Sequence, residues 1–334
     1  VVVRVHPMLR DTWLSVSDDF KRHGTAVITG GLGGLGLVTA EVLVEGGVRC
    51  VVLVSRSGRV KHSDQGLEER LESLRATGAE VVIERCDMGV EAEVASMLAR
   101  VRSSHGPLRM VVHAAGVLSD ALLGKQDAES MRAVFSPKAD GAWHLHQHTL
   151  DDDLAAFVVF SSLSWILGNR SSANYASANE YLDSFARWRT ANGKGTMSIC
   201  WPSVSGVGLA ALAESVGVHM DDELSIDVAT MKEVLRGCLA EGRTDTVAVL
   251  TKEYVRLIRT MESASALVSS LPTESDYRLK HQFLGMSIDE IQRHVNGEVI
   301  SEVLEQLDHT DDELESSAPL MESGLDSLAA TQLV

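Results

Sequence analysis

The feature that most limits the possible folds is an alternation of short β-branched runs and helical stretches, beginning at about Thr25. "TAVITGG" enters a glycine cluster and is followed by the apolar-periodic "LGLVTAEVLVEGG". "RCVVLVSRSGR" is a second strand, and "GLEERLESLRATG" an amphipathic helix ending on Gly78. "AEVVIERCD", "LRMVVHAAGV", "LAAFVVFSSLS" and "GTMSICWPS" supply four more strands, and "TVAVL" a short closing one. Helices are expected over "EAEVASMLARVRSSHG" and over Asn174–Thr190. Strands that do not alternate polar with apolar residues, separated by helices, have both faces covered, which means a parallel sheet. The expected class is therefore α/β, a doubly wound parallel sheet whose site lies at the carboxyl ends of the strands.

The 334 residues suffice for one large core, or for one domain plus a fragment. No run of about 18 apolar residues appears, so no spanning helix is expected. Cys50, Cys86, Cys200 and Cys238 show no CxxC and no metal-ligand spacing. They read as buried free thiols in a reducing, cytoplasmic setting, with no metal centre. A net charge of −17 argues against a nucleic-acid partner. Residues 291–334 hold ten Asp/Glu against one Arg, a net −9, and read as a separate unit. Residues 263–290 include the Ser-rich stretch "MESASALVSSLPTESDY" and read as a linker. Residues 1–22 lack an initiator Met and read as the end of a preceding region of a longer polypeptide. Gly206 to about Gly242 is helical and loop-rich, at the position of a mobile lid.

The glycine cluster "TGGLGGLG" spans Thr29 to Gly36 between a strand and a helix. Gly30, Gly34 and Gly36 fit a TGxxxGxG spacing, in which missing Cβ atoms let backbone approach a pyrophosphate at the helix N-terminus. Thr29, Gly30, Gly31, Gly33, Gly34, Leu35 and Gly36 are the candidate cofactor residues here. The second strand ends in Ser55-Arg56. A guanidinium in place of the acid that accepts from a ribose 2′-hydroxyl favours a 2′-phosphate, and so NADPH. Asp87, after the third strand, either contacts the adenine or caps the next helix.

"TGGLGGLG", "VVHAAGVL", "FVVFSSLS" and "NYASANEYLD", in this order, resemble the ketoreductase domain of modular type I polyketide synthases, within the short-chain dehydrogenase superfamily and its Rossmann-like fold. The resemblance covers about Thr25 to Thr260, giving an expected ketoreductase domain at 23–262. It implies a tetrad of Tyr175, Ser162, Lys138 and Asn179. Tyr175 and Asn179 share one helical face at i and i+4. A phenol titrates near ~10, so it needs a nearby cation at neutral pH. Ordinary short-chain dehydrogenases place a lysine four residues after the tyrosine. In this family the lysine and asparagine positions are exchanged, and Lys138, 37 residues before Tyr175, stands where the lysine is expected. The implied roles are protonation of a β-keto oxygen by Tyr175, oxyanion support by Ser162, lowering of the phenol's pKa by Lys138, and orientation of that lysine by Asn179. His113, Ala114, Ala115 and Gly116 are implied as further cofactor contacts.

Leu118-Ser119-Asp120 resembles the "LDD" of B-type ketoreductases and keeps the second acid. The A-type marker, a tryptophan eight before the tyrosine, is Leu167 here, with Trp165 two residues away and Arg170 where many B-type sequences have proline. Asp120 and Leu167 thus imply the B-type, D-configured alcohol. "WPSVSGVG" departs from the family's common Trp-Gly. Beyond the linker, "SGLDSLAATQLV" resembles the phosphopantetheine attachment site of an acyl carrier protein, with Ser327 as the modified hydroxyl, which makes residues 291–334 the start of an all-α carrier segment. The resemblance implies NADPH-dependent reduction of a β-ketoacyl thioester held on a phosphopantetheine arm. The partners would be the carrier and other domains of one multifunctional synthase. The alternatives are a silent reductase-like scaffold, a fatty-acid synthase reductase, or a generic short-chain dehydrogenase, against which Asn179 speaks.

Overall fold

The structure, a computed structural model, describes residues 24–60, 65–167, 171–209, 211, 224–240 and 244–260. All lie within the chain's first unit, Val1–Leu271. The expectations for 1–22, 263–290, 291–334, Ser327 and Arg170 fall outside the described residues.

The strands are β1 (Thr25–Thr29), β2 (Cys50–Ser55), β3 (Glu80–Arg85), β4 (Leu108–His113), β5 (Ala156–Ser162), β6 (Met197–Trp201), β7 (Ser203–Val204), β8 (Ser225–Ile226) and β9 (Thr246–Ala248). Seven of them form one sheet in the order β3-β2-β1-β4-β5-β6-β9, parallel throughout. β7 and β8 pair separately. The chain winds outward from β1 to β3, then returns to place β4 on the other side of β1. That reversal is the switch point where such sheets open a crevice at the strands' carboxyl ends.

The helices are α1 (Gly34–Glu45), α2 (Leu67–Ala76), α3 (Glu91–His105), α4 (Ala128–Phe135), α5 (Gly141–Gln147), α6 (Ser164–Leu167), α7 (Ala173–Ala191), α8 (Val228–Ala240) and α9 (Lys252–Thr260). The two-residue period of the strands sorts their apolar side chains onto two faces. Ala26, Ile28, Val51 and Leu53 pack beneath α1, α2 and α8, whereas Val27, Val52, Val54 and Val111 pack beneath α3, α5 and α7. Each such fully buried Val, Ile or Leu contributes about 1.5–3 kcal/mol, which explains strands without polar alternation. Within the stretch expected to form a lid, α8 is anchored on α1 by Met231 and Leu235 and by Lys232, which reaches Glu41 and Glu45 at 2.7 and 2.8 Å.

Two helix boundaries follow from local chemistry, and the second bears on the site. Gly78 follows α2 at φ 83°, the left-handed stop that glycine supplies. α4 opens on a reciprocal cap between Asp127 and Ser130 and runs into a single π turn, Ser136–Asp140, ahead of α5. Pro137 lies in that turn and has no N–H to continue an i to i−4 ladder. The widened turn that results carries Lys138.

Candidate active site

A cleft of about 610 Å³ opens at the carboxyl ends of the strands, within the range of small-molecule sites. The turn after β1 forms its floor. Gly30 stands at φ 65°, and a Cβ there would lie 2.7 Å from Ala114 O. A Cβ on Gly36 would lie 2.7 Å from Gly31 Cα and strike the Gly30 carbonyl, all of it backbone that cannot rotate away. Gly36→Ala is therefore expected to cost about 1–3 kcal/mol in denaturant unfolding; an unchanged midpoint would show that the turn yields. Gly33, the N-cap of α1, offers no side-chain cap, and the helix's first turn holds no acid. Its orphan N–H groups remain for an anion in the cleft. Gly31 instead packs on Leu53 behind the floor.

Ser55, Arg56, Ser57 and Arg59 line the end of the cleft beyond β2. Asp87 does not line it: its carboxylate accepts from Gly89 N–H at 3.0 Å, while its neighbours Cys86 and Met88 form the wall.

At the other end, the π turn, β5 and α7 bring together the four residues singled out from the sequence. Lys138, only 4% exposed, donates from Nζ to Asn179 Oδ1 at 2.9 Å and to Phe160 O at 3.2 Å. Its Nζ lies 5.3 Å from the centroid of the Tyr175 ring. Asn179 Nδ2 donates to Tyr175 O at 2.8 Å, so the asparagine spans the lysine and the helix turn that bears the tyrosine. Ser162 lines the cleft beside Tyr175, and its Oγ accepts from Ser164 N–H at 3.2 Å. Burial pulls the Lys138 ammonium down to about 8, opposed by the charge of Asp183. The phenol departs from expectation. Burial raises the Tyr175 pKa; hydrogen bonding with Asn179 and Ser162 counteracts this, and the Asp120 carboxylate adds to the rise. Desolvation outweighs the stabilisation expected for its anion, so the phenol retains its proton at neutral pH.

A second layer holds this arrangement. His113 is 0% exposed and stands behind the cleft wall. Thr29 Oγ1 donates to its Nδ1 at 2.8 Å, and its Nε2–H donates to Lys138 O at 2.9 Å. Ala115 N–H donates to Thr29 Oγ1 at 3.2 Å, closing a chain from the glycine turn to the lysine. Ala114, Ala115 and Gly116 all line the cleft. Gly116 also makes room for the cation, since a Cβ there would lie 3.0 Å from Lys138 Cε.

Asp120 is exposed on the cleft wall, and Leu167 is the last residue of α6, its side chain outside the described residues. Among the described residues, Cys50, Glu80 and His105 are the one group of three potential metal donors. They lie at the amino-terminal ends of β2 and β3, away from the cleft, where His105 Nδ1 and Glu80 Oε1 already pair at 2.7 Å.

Several cleft residues had no signal in the sequence. Arg59 stands three residues past the motif position, where nothing distinguishes it from a solvated arginine. Val207 and Gly208 reach the glycine turn from the segment after β6, a contact only the fold creates.

A doubly wound parallel sheet with a buried lysine, an asparagine, a serine and a protonated tyrosine at its switch-point cleft defines an oxidoreductase of the short-chain dehydrogenase type. The KR domain family model matches residues 24–206. The chain belongs to that family: it is the ketoreductase domain of a modular polyketide synthase. It is 34% identical over 329 residues to the spectinabilin polyketide synthase system protein NorB of Streptomyces orinoci, covering 93% of this chain and 15% of that protein. It is 42% identical over 189 residues to polyketide synthase GfsB of Streptomyces halstedii, covering 56% of this chain and 3% of that one. Among solved structures it resembles A-type ketoreductases from a modular polyketide synthase, with a TM-score of 0.67, 28% identity, and 80% of this chain and 57% of that chain covered. It also resembles PlmKR1, the ketoreductase from the first module of phoslactomycin biosynthesis in Streptomyces sp. HK803, with a TM-score of 0.62, 30% identity, and 75% and 56% of the two chains covered. The chain thus spans a small part of the length of the curated relatives it matches. Among the described residues, no helix is long and apolar enough to cross a membrane.

Proposed function

We propose that the domain uses NADPH to reduce a β-ketoacyl thioester, presented on a phosphopantetheine arm, to the β-hydroxyacyl thioester, within a cytoplasmic synthase. The observation that carries this reading is the Lys138–Asn179–Tyr175 arrangement facing the cleft beside Ser162.

The uncapped start of α1 and the glycine turn would hold the pyrophosphate, and Arg56 with Arg59 a ribose 2′-phosphate. Bound there, the dinucleotide supplies the hydride. Tyr175 gives the ketone oxygen its proton, so hydride and proton together complete the alcohol. The Ser162 hydroxyl donates to the same oxygen as its charge develops. Lys138 supplies the positive charge that receives the tyrosinate left behind, and Asn179 holds that ammonium beneath the ring.

Ser327 would carry the arm, and tethering would make the substrate's effective concentration high without tight binding. The four cysteines, all free and buried, suit a reducing compartment. Asp120 on the cleft wall and a leucine at position 167 support the B-type, D-configured product. Against this stand the solved A-type ketoreductases that the chain resembles at 28–29% identity, so the chirality of the product decides between the two types.

The test is oxidation of NADPH by the purified chain with a diffusible racemic 2-methyl-3-ketoacyl thioester, followed by chiral analysis of the alcohol. Cofactor binding without turnover would identify a scaffold, and an L-configured alcohol would overturn the B-type assignment. Arg56→Glu is expected to weaken NADPH binding relative to NADH by about 10–100-fold, the worth of a charge-assisted phosphate contact. An unchanged ratio would remove Arg56 from the cofactor site.

A further inference from the structure

The face of α7 that presents Tyr175 and Asn179 continues one turn further to Asp183, a carboxylate that is 0% exposed. Both of its oxygens accept hydrogen bonds from β6: Oδ1 from Ser198 Oγ, and Oδ2 from Cys200 Sγ at 3.1 Å. Burial raises the Asp183 pKa above the ordinary carboxylate value, and hydrogen bonds from Ser198, Cys200 and Ser161 oppose that rise by favouring the ionised form. Ser161, whose hydroxyl donates to Asn179 O at 3.1 Å, lies between the carboxylate and the lysine's partner. Among the described residues, no Lys, Arg or His side chain forms an ion pair with Asp183 within 4.0 Å. A buried charge without a contacting counter-ion is costly and needs compensation nearby. The cation whose protonation Asp183 favours is Lys138, which is itself buried and makes its hydrogen bonds only to neutral oxygens.

We propose that Asp183 is a positioning residue of the reductase site: its buried carboxylate supplies the negative charge that keeps the Lys138 ammonium charged beneath Tyr175. The two charges are separated by the Asn179 turn, so neither quenches the other by direct contact. The lysine then stays free to donate to Asn179 and to receive the developing tyrosinate. The titratable groups around the pair are few. Tyr175 shares α7; His113 approaches from β4 and is held neutral; Cys200 approaches from β6 with its thiol pushed well above its usual range; Asp120 lies out at the cleft wall. Among the described residues, Asp183 is the one buried carboxylate, set one turn of α7 beyond the lysine's partner Asn179.

This inference rests on the proposed reaction for one of its tests and not for the other. In the full chain, Asp183→Asn should leave NADPH binding intact and move the alkaline limb of the kcat–pH profile down by about 1–3 pH units, the effect of removing an opposite charge near a lysine. A profile that falls in amplitude but keeps its limb would overturn the proposal, because a purely structural role scales activity without changing a titration. The second test reads unfolding alone. Lys138→Gln, Asp183→Asn and the double variant should show coupling, with the double variant's denaturant midpoint above the additive value. Additive midpoints would overturn the charge pairing even if the reaction itself proved different. If Tyr175→Phe retains turnover while this coupling persists, the reading of the reaction fails and the charge pair stands.

Discussion

Replacing Tyr175 by phenylalanine is expected to lower turnover by about 10²–10⁴-fold, the usual worth of a positioned acid, with NADPH affinity almost unchanged. The substitution removes one hydroxyl and leaves the ring on which Lys138 rests. The lysine's own hydrogen bonds, to Asn179 Oδ1 and Phe160 O, do not involve the phenol oxygen. The proposed dinucleotide cradle is likewise made elsewhere, by the turn after β1. Loss of turnover with retained binding therefore isolates proton transfer. Single-turnover NADPH oxidation checks the first part and fluorescence titration of the cofactor the second. Retained turnover would mean that another group protonates the ketone.

The second large effect belongs to His113 and to acid. Burial holds its imidazole down to about 4, against an ordinary value near 6.5. The folded state therefore binds this proton less readily than the unfolded chain does. Stability from this source is fully present above about pH 6.5 and is lost as pH falls toward 4. Over that window the loss amounts to about 3 kcal/mol. Since the neutral ring links Thr29 to the Lys138 carbonyl, protonation would force Nδ1 to donate where it now accepts. Denaturant unfolding at several pH values should show His113→Gln with a flatter acid dependence than the wild type. Parallel curves would place the acid lability in the carboxylates instead.

The same residue shows how far the sequence could be read. The sheet was legible because its strands are apolar on both faces, and the proposed tetrad was picked out because four residue types stood in a family's order and spacing. The helix read as Asn174–Thr190 is observed as Ala173–Ala191, and both Tyr175 and Asn179 fall on its expected face. His113 was legible only as part of "VVHAAGVL". Nothing in one dimension tells a wall residue from the one behind it, and the ring proved to face the core. Asp87 was an open choice between adenine and helix capping; its carboxylate serves Gly89 N–H in the loop leading to α3. The π turn at Ser136–Asp140 could not be read, because a proline inside a helical pattern predicts a break as readily as a widened turn. The direction of the Tyr175 shift was missed for a related reason: desolvation depends on everything packed around the phenol, whereas a motif names only its charged neighbour.

The contact between Gly34 and the segment after β6 has a consequence for chimeric synthases. A Cβ on Gly34 would lie 2.9 Å from Gly208 Cα, and Gly208 itself stands at φ 73°. The glycine turn after β1 and the segment after β6 therefore interlock through two residues without side chains. A loop transplanted from another reductase to alter which acyl chains are accepted would have to bring glycine at position 208. Any other residue there would be strained at that φ, and its Cβ would meet Leu35 Cδ1 at 2.7 Å beside the cleft floor, so in the proposed reaction a change meant for the acyl group would register first as weakened coenzyme affinity.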